Sequence, residues 1–131
     1  MNPISIRNTT PDDIPGILAL GRKVYPSMPA WEEDQLLSHQ RVFPEGQLVA
    51  LDSDEVIVGM AASLILAWEE YDFEQPWRDF TDRGYFTNHD PDGKTLYGAE
   101  IMVDPERRRM GIGRLLYAAR RQIVYDLDPV S

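Results

Sequence analysis

The chain contains no cysteine, and its 131 residues include only two histidines, His39 and His89. The first absence excludes a disulfide framework, a thiolate nucleophile and any cysteine-based metal site; the second leaves too few imidazoles for a histidine-based one. No metal is therefore expected. No apolar run approaches the roughly 18 residues that a membrane-spanning helix needs, and residues 1–7 lack the basic start and apolar centre of a secretory signal. The expected location is the cytoplasm, with no membrane partner. Positive charge is also scarce, since 13 Lys and Arg stand against 22 Asp and Glu for a net charge of −9. That balance argues against general affinity for nucleic acid or anionic membranes. What is present, 43% hydrophobic and 27% charged residues, lies in the range of folded globular chains. The length suits a single domain spanning residues 1–131.

The scarce positive charge is concentrated. Arg107, Arg108, Arg109, Arg114, Arg120 and Arg121, six of the thirteen basic residues, fall within fifteen positions that contain no acid. They belong to the stretch 96–125, which reads as a strand, a tight Arg- and Gly-rich loop, and an amphipathic helix with Gly111 and Gly113 at its start. Ile112, Leu115, Leu116, Ala119 and Ile123 share one face of that helix. Glycines admit close approach to the backbone, and the first helical turn offers N–H groups without intrahelical partners. Such a helix start favours a phosphate or pyrophosphate, and arginines add charge-assisted hydrogen bonds. A polyanionic ligand is expected there; beyond it, Arg120 and Arg121 are expected to be solvated.

The remaining elements follow from pattern. Residues 4–6 alternate as a short strand. Thr10, Pro11 and Asp13 mark a helix start in which Asp13 closes a capping box, and Ile14, Ile17, Leu18 and Val24 form the apolar face before Pro26. A second helix is expected over 31–42, with Trp31, Leu36 and Leu37 as its apolar contacts. Residues 47–51 and 56–66 are rich in strand formers and flank a hairpin turn, so they should pair antiparallel. Residues 68–93, with eight acids and two arginines, read as a surface excursion with some helix around 77–81. His89 with Asp90 and Asp92 fits a turn and fails the calcium-loop pattern. Trp31, Trp68 and Trp77 suit core or lid positions better than a ligand stack. The acids of 69–92 form an acidic surface that could also draw in a cationic amine.

Two familiar phosphate loops fail on spacing. The P-loop needs Lys and then Ser or Thr after its second glycine, and Arg114 follows Gly113; the dinucleotide fingerprint needs a small residue where Leu116 stands. What remains is Arg-x-x-Gly-x-Gly, as Arg108, Arg109, Met110, Gly111, Ile112 and Gly113, after the lead-in Val103, Asp104, Pro105 and Glu106. This motif, following a strand and opening a helix, resembles motif A of the GCN5-related N-acetyltransferases (GNAT). The similarity in layout covers residues 3–125.

The resemblance implies a mixed α/β (α+β) fold with a mostly antiparallel central sheet flanked by helices. It also implies acetyl-coenzyme A as co-substrate and transfer of an acetyl group to a primary amine. The backbone of Ile101, Met102 and Val103 would pair with the pantetheine arm. The amides of Arg109, Met110, Gly111, Ile112, Gly113 and Arg114 would hold the pyrophosphate, and Arg108 matches the family's Arg/Gln position. Glu100, on the strand face opposite Ile101 and Val103, would act as general base, the other reading being an exposed or ion-paired strand glutamate. A non-catalytic acyl-coenzyme A binding module of the same fold is the alternative function. The family's domain continues through a further strand, a helix and two closing strands, and its later part often supplies a tyrosine that protonates the leaving thiolate. The expectation is therefore a fold lacking its C-terminal part, either completed as a homodimer or missing a C-terminal segment. A weaker resemblance, in residues 24–47 and 89–98, points to acetyltransferase domains joined to carbon-nitrogen hydrolase domains.

Overall fold

The computed structural model describes residues 4–28, 30–67, 70–71, 76–107 and 109–127. Arg108, Trp68 and Glu69, which carried expectations above, lie outside the described residues. Strand β1 (Ser5–Asn8) leads through a 3-10 turn at Pro11–Asp13 into α1 (Ile14–Val24), and α2 (Glu33–Val42) precedes the hairpin β2 (Leu48–Leu51) and β3 (Ile57–Leu66). After the short α3 (Trp77–Thr81), β4 (Thr95–Val103) delivers the chain to α4 (Ile112–Leu127). The four strands form one antiparallel sheet in the order β1-β2-β3-β4. No helix among the described residues is long and apolar enough to cross a membrane.

Local chemistry accounts for the helix starts. The Asp13 carboxylate accepts the Thr10 N–H at 2.8 Å, as the capping pattern predicts. It also accepts two bonds from Arg7, at 2.7 and 2.9 Å, which tie β1 to the start of α1. At α2, the Gln35 side chain accepts the Glu32 N–H at 2.9 Å, so the helix begins after Trp31 rather than at it.

Strand alternation gives the sheet two apolar faces. Met60, Ala62, Leu64 and Leu66 of β3 and Met102 of β4 pack with Ile14, Ile17 and Leu20 of α1 and with Trp31 and Leu36. On the other face Val58 and Ala61 join Ile112, Leu116 and Ile123 of α4, with Leu115 and Ala119 packed against them as the helical period predicts. Burying each of the larger side chains contributes about 1.5–3 kcal/mol.

Two expectations fail. Leu37 is 41% exposed instead of contributing to the core, because the face of α2 that meets the sheet is set by Leu36, Ser38 and His39. The segment 76–93 contains the expected helix, but it is not a surface excursion. Phe80, Thr81 and Phe86 are buried, with the Phe86 ring stacked on His39 at 3.7 Å. The ring of His39 is held by a 2.6 Å bond from Nε2 to the Gly84 carbonyl. The acidic residues of the segment stay outside while its aromatics fill the α2 side of the core.

A candidate coenzyme A and amine site on β4

Strand β4 has a β-bulge at its centre. Ala62 pairs with Glu100 but Ser63 pairs with Gly98, leaving Ala99 as the extra residue. The carbonyls freed by the bulge are taken by side chains from both faces of the sheet. Trp77 Nε1 donates to Ala99 O at 3.0 Å. Arg120 Nη2 donates to Glu100 O at 2.9 Å and to Ala62 O at 3.2 Å. A Cβ on Gly98 would collide with the Arg120 guanidinium as it is placed, so this last position of Arg120 relies on glycine there. Arg120 is thus half-buried against the strand, not solvated as expected; burial lowers its pKa from the ordinary value. Arg121 is exposed.

Glu100 lies beside Met102 in register, on the α1 face as strand alternation predicts. Its carboxylate is 3.4 Å from the Tyr25 hydroxyl, which donates to it from just beyond the end of α1. Burial raises the Glu100 pKa from its ordinary value, while the bond from Tyr25, a backbone N–H and the charge of Arg120 pull it down less strongly. A carboxylate whose pKa is raised by burial is a stronger base than a solvated one and is suited to accepting a proton.

The loop that follows β4 is anchored at its root. Buried Asp104 accepts the Glu106 N–H at 2.9 Å and an ion pair from Lys23 at 3.1 Å. Burial alone would raise the Asp104 pKa, but these partners together with Arg107 outweigh it and hold the carboxyl below its ordinary value. Arg107 pairs with Asp52 at 3.0 Å, so this member of the arginine run braces the loop. Arg109 and Arg114 are exposed. The turn into α4 uses left-handed backbone at Arg109 (φ 72°) and Gly111 (φ 77°). The Leu115 N–H bonds to Gly111 O at 3.0 Å, and the helical amides before it lack an intrahelical acceptor. A Cβ on Gly113 would meet only a Val103 methyl at 3.9 Å. Packing within the chain therefore does not require glycine at 113, whereas an anion approaching the helix start would.

Ile101, Met102 and Val103 pair with Ala61, Met60 and Gly59 on one side of β4. The opposite edge of the strand carries no other strand among the described residues. Open strand edge, loop amides and helix start adjoin one another in the order that a long ligand with a polyanionic end would follow. Glu100 and the three strand residues lie on β4, and positions 109–114 lie in the loop and helix start that follow it, while Arg108 lies outside the described residues. Tyr25 and Arg120 are the residues that sequence reasoning missed. Arg120 had a signal: it lies four residues from Leu116 and three from Ile123, beside the buried stripe. Tyr25 had none.

Two cavities flank this region. One of about 300 Å³ lies between α1 and the segment after it, with Tyr25 on its lining. The other, about 620 Å³, lies at the far end of α4, lined by Phe43, His89, Leu96 and Leu127 among others. There His89 Nδ1 accepts the Ile65 N–H at 2.9 Å and its ring stacks on Phe43 at 4.3 Å, which makes it a structural residue. Among the described residues no group of His, Asp and Glu is arranged to hold a metal.

Comparison with known proteins agrees with this fold. The family model described as "Acetyltransferase (GNAT) family" matches residues 17–125. The probable hydrolase YhcX of Bacillus subtilis (strain 168) is 45% identical over 123 residues, covering 94% of this chain and 24% of the relative. The uncharacterized N-acetyltransferase YkwB of the same organism is 39% identical over 127 residues, covering 94% of this chain and 56% of that protein. The chain thus spans a quarter to just over half of the length of these relatives. Among solved structures, the GphF GNAT-like decarboxylase in complex with isobutyryl-CoA superposes with a TM-score of 0.70 at 23% identity, covering 97% of this chain and 60% of that one. At that identity the likeness concerns the fold alone.

Proposed function

The chain belongs to the acetyltransferase (GNAT) family, and on that footing we propose that it transfers an acetyl group from acetyl-coenzyme A to a primary amine. The observation that carries the reading is the succession along the chain of a carboxylate on β4 whose pKa is raised by burial, Glu100, and, after that strand, a left-handed turn at Gly111 opening a helix. The residues fit the co-substrate: the amides of 109–114, with Arg109 and Arg114, suit a pyrophosphate, and the open edge at Ile101, Met102 and Val103 suits an amide-bearing arm. The isobutyryl-CoA complex of a protein with the same fold supports an acyl-coenzyme A ligand. Acetyl-coenzyme A, when bound, supplies the activated thioester that the amine displaces. Glu100 takes the proton from the incoming ammonium, directly or through a water, and the bulge fixes where its carboxylate points. Tyr25 holds that carboxylate from the α1 side. No side chain among the described residues is assigned to protonate the leaving thiolate.

Self-association is part of the same reading, since the free edge of β4 and the exposed Tyr117, Val124 and Leu127 of α4 offer a surface that a second copy could cover. Sedimentation at micromolar concentration tests it, a monomeric mass overturning it. The match to a much longer relative named as a probable hydrolase supports the weaker resemblance to acetyltransferase domains joined to carbon-nitrogen hydrolase domains.

Thiol release from acetyl-coenzyme A across a panel of amines, run beside calorimetric titration with coenzyme A, tests the catalytic reading. Release that disappears in Glu100→Gln with coenzyme A affinity unchanged is the expected result. Tight binding with no release for any amine would favour a non-catalytic acyl-coenzyme A binding module.

A further inference from the structure

Glu100 stands between two peptide planes, and a long side chain grips each of them. The plane leading into it carries the Ala99 carbonyl, which accepts from Trp77 Nε1 at 3.0 Å. The plane leading out of it carries the Glu100 carbonyl, which accepts from Arg120 Nη2 at 2.9 Å. A peptide unit is planar, so holding its oxygen also fixes the direction of its N–H. The second plane shows the effect, because its N–H, that of Ile101, is hydrogen-bonded to the Glu100 carboxylate. Only φ and ψ of Glu100 join the two planes, so fastening both sets the direction of its Cα–Cβ bond.

The indole of Trp77 has a firm backing. Its ring lies 5.7 Å from that of Trp31, which is buried and stands edge-on to His39 and Phe86. The segment that carries Trp77 is in turn fastened to α2, whose Gln35, Ser38 and His39 side chains bond to the carbonyls of Arg83, Tyr85 and Gly84. Trp77 itself is 40% exposed, so it fills the core only in part, whereas its one polar atom is directed at the extra residue of the bulge.

We infer that Trp77 is a positioning residue for Glu100: from the segment between β3 and β4 it sets, together with Arg120, the direction in which the carboxylate points. The role rests on the acetyl-transfer reading, in which Glu100 takes the proton. A base must stand within hydrogen-bond reach of the proton it accepts, and a small misplacement lowers the rate steeply. Trp77 acts through the Ala99 carbonyl rather than on the substrate.

Titration of the glutamate carboxyls by NMR, with Glu100 identified by its loss in Glu100→Gln, reads the carboxylate without any turnover. The groups acting on it are Tyr25 beyond the end of α1, Arg120 of α4 and the Ile101 N–H, and burial outweighs them in the upward direction. Trp77→Phe keeps a ring against Trp31 and removes the donor, so the thermal melt should change little. The Glu100 carboxylate, less firmly placed, should relax downward toward its ordinary pKa. With the most reactive amine of the panel, kcat should fall at least about tenfold while the KM for acetyl-coenzyme A stays unchanged. Benzothienylalanine in place of Trp77 keeps the shape of the ring and lacks the N–H; it should reproduce both effects, and it keeps the test valid should Trp77→Phe lose stability. A Glu100 titration that is the same in the parent and in both variants would overturn the positioning role, as would an unchanged kcat. A shifted titration in a chain that releases no thiol with any amine keeps the positioning role and overturns acetyl transfer.

Discussion

Arg120 of α4 and Glu100 of β4 meet through the backbone, the guanidinium donating to the Glu100 carbonyl at 2.9 Å while its charge also acts on the Glu100 side chain. One residue thus braces the bulge and favours the ionised carboxylate. In Arg120→Met the Glu100 pKa rises further, so the acid limb of the kcat/KM profile moves to higher pH. Loss of donors to two carbonyls costs about 1–3 kcal/mol in a denaturant melt. Arg120→Lys restores the charge but not the two-pronged geometry, so it recovers the limb better than the stability. Tyr25→Phe, which removes a bond to the carboxylate, shifts the limb in the same direction with little change in the melt.

Substitutions at Gly113 and Gly111 should separate the proposed coenzyme A binding from folding. A Cβ at 113 meets nothing closer than 3.9 Å and the neighbouring Arg114 is exposed, so Gly113→Glu should melt nearly like the parent. By calorimetry it should lose at least about tenfold in coenzyme A affinity, roughly 1.4 kcal/mol. Gly111→Ala behaves differently, because φ is 77° there; the strain costs about 1–2 kcal/mol of stability. Unchanged affinity in Gly113→Glu would mean that nothing approaches this helix start.

The Arg7–Asp13 pair should govern part of the acid sensitivity. The Arg7 hydrogen bonds, followed by the Thr10 N–H, hold the Asp13 pKa below its ordinary value despite burial. A carboxylate lowered in the folded state contributes stability above its unfolded pKa and loses it as pH falls through the folded one. Asp13→Asn therefore destabilises at pH 7, by about 1–3 kcal/mol, and much less at pH 2. Urea melts at the two pH values check this, equal losses at both ruling it out.

His39 acts in a neighbouring window. Burial pushes its pKa down to about 4 from 6.5, so between these values the unfolded chain binds the extra proton and the folded chain does not. Stability should then rise with pH across that window, by up to about 1.4 kcal/mol per pH unit from this group. His39→Gln should flatten the slope while lowering the overall stability, as followed by thermal melts between pH 4 and 7.

Elements with a clean period were legible from the sequence. The buried face of α4 at Ile112, Leu116 and Ile123, the β2–β3 hairpin and the short helix at 77–81 all follow from local pattern. The burial of Phe80 and Phe86 was not legible, because they are irregularly spaced within an acidic segment and their partners, such as His39, are distant in sequence. Arg120 was hidden for a different reason. Charge argues for solvent, and only the bulge at Ala99, a property of strand pairing, creates the carbonyls that draw it in. At the site itself, the glycine spacing and the strand face of Glu100 could be read in advance, whereas the Tyr25 contact depends on where α1 ends.

Asp52 closes the β2–β3 turn by accepting the amides of Asp54 and Val56, at 2.8 and 3.0 Å, and also holds Arg107. The root of the loop after β4 is therefore fastened to a hairpin that forms from neighbouring residues. Conformational entropy lost in this root is lost when the chain folds, not when a ligand arrives. For the proposed coenzyme A site, association then resembles docking onto a preset frame, and weakening the hairpin turn would show itself as a less favourable binding entropy at a distance from every residue proposed to touch coenzyme A.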